Sequence, residues 1–265
     1  MLVFDDTKKE KIMLVLLSPS KKLDETTVIP TNTFTMPEFI VDAEILSSGL
    51  KDLSRGDISD LMKLSIPLSD LNYERYQSFS LPFTPKNARQ ALYTFKGDVY
   101  DKMDIETYNE ADLKFAQKHI RILSGLYGIL RPLDLMQPYR LEMGTKFKNE
   151  RGNNLYGFWD SRLTDAINKS SDGPIVNLAS KEYFQAVKTS KLSQPLINII
   201  FKQIKEGKMK TIGLMAKRAR GLMANYIIKN SITDVEDLKK FTESGYQFNP
   251  EMSSQKDWVF TMTMD

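Results

Sequence analysis

Hydrophobic and polar positions alternate along this chain with two different periods, and the period separates strand from helix. The run IMLVLL at 12–17 has no polar interruption and is stopped by SPSKKLD at 18–24, which predicts a buried strand. From Pro37 to about Phe95 the spacing turns helical. Phe39/Ile40, Ala43, Leu46 and Leu50 recur on one face and Leu61, Leu64 and Leu68 continue it, so several short helices are predicted. TPKNARQALYTF at 84–95 sets a capping residue before a proline at the first helical position, with Gly97 as a stop, and predicts a helix beginning at Pro85. Phe115, Ile122 and Leu123 extend a stripe that predicts a helix running to Ser124 and Gly125.

Further on, a helix is predicted from Tyr156 to about Asn168, a turn at SDGP (171–174), a short buried strand at IVNLA (175–179) and a helix at SKEYF (180–184). LINIIFKQI at 196–204 and MKTIGLM at 209–215 flank Gly207 as a hairpin, followed by a basic helix from Ala216 to Asn230. Tyr246 to Phe248 and Trp258 to Met262 supply one or two more strands. With no internal repeat and no low-complexity linker, the pattern predicts an α+β fold. It is expected as one compact domain over 13–265, with a mixed sheet, several helices and a charged extension at 1–12.

Composition then removes whole classes of chemistry. The 265 residues contain no Cys, which excludes disulfide scaffolds, thiol peroxidases and cysteine-ligated metal centres, and a single His, which excludes any site needing two imidazoles. No run approaches the roughly 18 apolar residues of a membrane span, and residues 1–11 lack the apolar core of a signal peptide, so a cytoplasmic location is expected. A net charge of +3 is too mild to announce a polyanionic partner. Its distribution is more informative, because six acids and one Lys crowd 98–112, whereas 114–131 and 207–233 hold bases and no acid at all.

Those basic segments are the first candidate site. On 216–229, Lys217, Arg218 and Arg220 form a cationic helix face suited to phosphate, or equally a solvated face balanced by acids elsewhere. In 118–131, Gly125 and Gly128 bracket Leu126 and Tyr127 after an expected helix end. This arrangement is similar to the hairpin of helix-hairpin-helix DNA-binding modules, with one extra residue between the glycines, and an ordinary helix C-cap explains Gly125 as well. Lys118, Arg121 and Arg131 would flank that hairpin, and Tyr127 would stand at its tip. The second candidate is a pocket for a small anionic or nucleoside-like substrate. Ser18, Lys21, Asp24 and Asn177 follow predicted strands, Asp98 is a nearby acid or base, and His119 is a proton shuttle if it is not a hydrogen-bonded structural residue. An all-carboxylate iron site from Asp98, Asp101, Glu106 and Glu110 lacks any Glu-x-x-His support, so no cofactor and no tight stoichiometric metal are expected.

Several stretches together resemble the bacterial YaaA family of peroxide stress proteins: LSPSKKLD (17–24), FKGDVY (95–100), HIRILSGLYGILRPLDLMQPYRLEMG (119–144), VNLASKEYF (176–184), AKRARGLM (216–223) and GYQF (245–248). The resemblance implies a cytosolic protein of the peroxide response that helps limit unincorporated intracellular iron. It also implies DNA binding through a helix-hairpin-helix-like element, carried onto 124–129, and a basic cleft formed by Lys118, Arg121, Arg131, Lys217, Arg218 and Arg220. The partner so implied is DNA, duplex or distorted, held mainly by its phosphates, with no membrane contact.

Overall fold

The sheet grows outward from one short strand. In a computed structural model that describes residues 11–264, residues Met13 to Leu17 are fully buried. Strand β1 (Leu14–Leu17) lies between two parallel neighbours, β5 (Ile120–Ser124) and β8 (Ile175–Asn177). Val15 is in register with Ile120 on one side and with Val176 on the other. A strand with neighbours on both edges and cover on both faces has no place for a polar side chain, hence the unbroken apolar run.

Beyond β8 come β9 (Leu196–Lys205) and β12 (Asp257–Thr263), both parallel, and then antiparallel β11 (Gln247–Phe248); beyond β5 lies antiparallel β6 (Gly128–Leu130). β10 (Lys208–Lys210) folds back on β9 through Glu206 and Gly207, whose φ of 51° and 68° suit a two-residue hairpin turn. The order β11-β12-β9-β8-β1-β5-β6 is the mixed sheet expected. Two small ladders brace its surroundings: β2 (Lys22–Leu23) with β4 (Phe95–Lys96), and β3 (Arg89–Gln90) with β7 (Leu135–Met136).

The helical stretch resolves into α1 (Ile40–Lys51), α2 (Arg55–Met62) and α3 (Ile66–Ser78). Ser54 and Asp57 cap α2 reciprocally, Lys63 ends it in the left-handed conformation, and α3 follows after a three-residue turn. Later helices are α4 (Ala91–Thr94), α5 (Glu110–His119), α6 (Leu155–Trp159), α7 (Arg162–Ser170), α8 (Lys181–Phe184) and α9 (Gly213–Lys229). Among the described residues, no helix is long and apolar enough to cross a membrane. The extension expected at 1–12 lies outside the described residues up to position 10. Ile12 is tied down, its amide donating to Asp172 at 2.6 Å and its carbonyl accepting from Gly173 at 3.1 Å.

Three expectations are corrected. The helix expected from Pro85 is a single turn at 84–88, because the amides of Ala91 and Leu92 are taken across the chain by the carbonyls of Asp134 (2.9 Å) and Pro132 (2.8 Å). The helix expected to reach Gly125 stops at His119, because Ile120 and Ile122 leave it to pair with Val15 and Leu17 of β1. The helix after Tyr156 is broken at Asp160, whose φ is 40°. Tertiary pairing overrides the local pattern each time.

Helix α9 seats against the 97–102 segment at Gly221, where an added Cβ would fall 2.0 Å from the Val99 carbonyl oxygen. Gly221→Ala is therefore expected to lower stability by about 1–3 kcal/mol in urea unfolding. Gly213→Ala, on the same helix with open space around it, should be neutral or gain about 0.5 kcal/mol.

Candidate functional site

The topology creates a crevice at one edge of the sheet. β1 and β8 are parallel neighbours, yet the chain leads from β1 to β5 on one side and from β8 to β9 on the other, so the segments leaving their C-terminal ends diverge. Ser18 and Ser180 meet there: the Ser18 hydroxyl oxygen accepts from the Ser180 amide at 2.8 Å, and the Ser18 carbonyl accepts from the Tyr100 hydroxyl at 2.9 Å. Asn177 closes the turn after β8 by accepting from the Ala179 amide at 2.9 Å. Lys21 pairs with Glu142, which also holds Arg140 at 3.2 Å. An added Cβ on Gly97 would stand 3.3 Å from the Ser20 hydroxyl, which brings Asp98 to this edge, and Asp98 lies 3.7 Å from Arg218. Four of the expected pocket residues, Ser18, Lys21, Asp98 and Asn177, thus share one edge.

Sequence reasoning missed Arg140 and Glu142. Their only signal was a pair of opposite charges two apart in an extended stretch. The cavity that Lys21, Arg140 and Glu142 line measures about 10 Å³, room for roughly one water.

Asp24 stands apart on the neighbouring loop. Hydrogen bonds from the Thr27 amide (2.9 Å) and hydroxyl (2.7 Å) hold its carboxyl well below the usual range, helped by the Thr26 amide and by Lys96 at 3.5 Å. His119 does not join the pocket. It is buried, with Nδ1 2.8 Å from the Met13 carbonyl and its ring stacked on Phe115 at 4.2 Å. Met13 and Ser18 bound opposite ends of β1, roughly 16 Å apart at about 3.3 Å per residue.

The expected hairpin at 124–129 is also corrected. It is the β5–β6 turn inside the core, with Leu126 and Tyr127 fully buried. The Tyr127 hydroxyl donates to the Gln137 carbonyl at 3.0 Å and accepts from the Gln137 amide at 2.9 Å, so it offers no face to a base. Gly125 is small because the Leu141 carbonyl oxygen would stand 2.2 Å from its Cβ, and Gly128, at φ 68°, because the Trp159 ring would stand at 2.8 Å. Ser124 is buried against Tyr139, 2.7 Å between hydroxyls. Burial drives the Tyr139 and Tyr127 phenols upward. On α2 and α3, which are joined by a three-residue turn, Arg55 is held by Asp70 (3.1 Å) and Glu74, and Arg75 by Glu25.

The basic residues form two groups. Arg121 and Arg131 open on one cavity of about 410 Å³ together with Lys169 and Glu38. Both are engaged: Arg131 makes paired contacts with Asp134 (2.9 and 3.1 Å), and Arg121 folds back on the carbonyls of Gln117, Lys118 and Ile120. Burial, with Arg131 close by, pulls Arg121 down to about 10, still a cation at neutral pH. Lys118 is exposed in the last turn of α5, where a cation suits the helix terminus. Arg220 is half-buried, and burial lowers it from its ordinary value.

Lys217 and Arg218 belong instead with the β9–β10 hairpin. From 202 to 218 the chain carries Lys202, Lys205, Lys208, Lys210, Lys217 and Arg218 against Glu206 alone. Every residue from 205 to 214 is exposed. Lys205 stands directly opposite Lys208 in the ladder. Among the described residues, Arg218 alone of these six has an acidic group within ion-pair distance.

The class defined by this arrangement is a protein with a mixed sheet, a charged crevice at the switch point of its parallel strands and a protruding basic lobe. The chain belongs to the family described as peroxide stress protein YaaA, which it matches over residues 13–252. It is 52% identical over 253 residues to a UPF0246 protein of Saccharophagus degradans, covering 94% of this chain and 99% of that one. The corresponding figures are 50% for a UPF0246 protein of Teredinibacter turnerae, with 94% and 99% covered, and 48% over 252 residues for one of Neisseria gonorrhoeae, with 94% and 97% covered.

Two outcomes follow from the site's geometry. Tyr127→Phe strips a buried amide and a buried carbonyl of their partner and should cost about 1–3 kcal/mol in denaturant unfolding. Asp24 has a depressed folded-state pKa, so its contribution to stability is present above the ordinary value of 3.8 and is lost as pH falls through and below it. Asp24→Asn should therefore lower the melting temperature at about pH 7 and flatten its decline toward about pH 3.

Proposed function

We propose that the protein acts in the peroxide response by binding DNA, and that it grips phosphates through the lobe made by the β9–β10 hairpin and the start of α9. The observation that carries this reading is the row Lys202, Lys205, Lys208, Lys210 and Lys217, none of which has an acidic group within ion-pair distance among the described residues. Like charges placed directly opposite each other, as at Lys205 and Lys208, destabilise a hairpin. A polyanion laid across them turns that cost into affinity through counterion release. Met209, Ile212 and Leu214 are exposed among the cations and suit an opened base step better than a phosphate, which favours distorted over perfect duplex. The α2–α3 pair is the other exposed region with arginines, but these are committed to Asp70, Glu74 and Glu25, so the lobe is the stronger candidate. The family's part in limiting free intracellular iron is taken to depend on the same contact.

The competing reading, an enzyme on a small anionic or nucleoside-like substrate, gains from the meeting of Ser18, Lys21 and Asp98 at the crevice. It loses His119 as a proton shuttle, and the cavity beside Lys21, Arg140 and Glu142 has room for roughly one water.

If about four phosphates are neutralised, the logarithm of affinity for duplex or bubble DNA should fall against the logarithm of salt with a slope of about −3.6, read by fluorescence anisotropy. Lys208→Gln with Lys210→Gln should make that slope shallower by about 1.8, whereas Lys63→Gln in the α2–α3 turn should leave it unchanged. Binding that is absent or indifferent to salt would overturn the proposal. In peroxide-treated cells, the same double variant should raise the free-iron signal in electron paramagnetic resonance if the iron effect runs through DNA.

A further inference from the structure

A cavity of about 370 Å³ lies next to the crevice, on the far side of Asp24. Its size is that of a small-molecule site. Leu92, Tyr93 and Phe95, from α4 and β4, give it an apolar and aromatic floor, and Ile105 continues that surface. One wall carries Arg89, on β3. Its guanidinium donates to the Thr27 carbonyl at 2.5 Å, its Nε is buried without a hydrogen-bond partner, and among the described residues it has no acidic partner. A second wall, from the turns at 100–107, carries Glu106, exposed and without a cation partnered to it among the described residues. Of the remaining charges, Lys96 and Asp24 face each other at 3.5 Å, and the Asp101 carboxyl is turned onto its own loop, accepting from the Gly97 amide at 3.1 Å.

An apolar floor with a cation and a carboxylate beside it, neither in an ion pair among the described residues, is complementary to a particular kind of molecule. We propose that this cavity binds a small zwitterion with a flat apolar body, its carboxylate on Arg89 and its ammonium on Glu106. A simple anion would satisfy Arg89 and leave Glu106 facing it, and a simple cation would do the reverse. Tyr93 supplies a ring for the body to lie on, as an aromatic wall commonly does in such sites.

The test uses the full chain and three probes that share one ring system: L-tryptophan, tryptamine and indole-3-propionate, titrated by isothermal calorimetry. L-Tryptophan is expected to bind one to one and about tenfold more tightly than either singly charged probe, the factor typical of one charge-assisted hydrogen bond. Arg89→Gln should erase its advantage over tryptamine, and Glu106→Gln should erase its advantage over indole-3-propionate. Glu106 is exposed, so that second variant is expected to keep the wild-type melting temperature and read binding alone. The proposal is overturned if none of the probes saturates, if indole-3-propionate binds as tightly as L-tryptophan, or if the preference survives both substitutions.

Discussion

The burial of β1 is the constraint on which the rest depends. Five consecutive residues, Met13 to Leu17, have no exposed surface, so their backbone groups must be paired on both edges or left costly and unmatched. β5 and β8 meet that need in parallel, which obliges the chain to cross over between them and forces the connections at their C-terminal ends apart. The segment before β1 is locked in turn, with Ser171 donating to the Ile12 carbonyl at 2.6 Å and Gly173 packed so that an added Cβ would stand 3.0 Å from the Ile12 carbonyl. The crevice of Ser18, Lys21 and Asp98 is thus a consequence of how an apolar strand is satisfied.

Charge in this protein sorts into committed and uncommitted groups, and the distinction matters more than the total. Arg121 and Arg131 look like ligand-binding cations in a list of residues, but one is spent on backbone carbonyls and the other on Asp134. The lobe at 202–218 holds its lysines in solvent with almost no acid near them. Self-repulsion of that kind weakens the isolated fold, a cost that the proposed polyanion contact would offset. Arg89 and Glu106, on the walls of one cavity, likewise have no ion-pair partner among the described residues, although Arg89 keeps one bond to the Thr27 carbonyl.

Much was legible where burial and periodicity agree. The strands at 12–17, 175–179 and 196–204, with Gly207 at the following turn, and the basic helix after it follow directly from local pattern, although the second hairpin strand, expected over 209–215, stops at Lys210 and the helix already begins at Gly213. The misreadings share one cause. Residues 120–124 and 84–95 carry patterns that fit one continuous helix, yet Ile120 and Ile122, and the amides of Ala91 and Leu92, pair with partners far away in the chain, which no window along the sequence contains.

By itself the sequence determined the class of fold, the family and the uneven placement of charge, because apolar runs, motifs and acid-free segments are properties of neighbouring residues. Only the tertiary structure decided which of these features face a ligand. It folded Gly125, Tyr127 and Gly128 into the core, moved His119 to the far end of β1, and left the β9–β10 lobe exposed. The physical reason is that accessibility and partnering depend on contacts between distant segments. Tyr127 is silenced by Gln137, Gly125 by Leu141 and Arg131 by Asp134, while among the described residues nothing of the kind closes over Lys208.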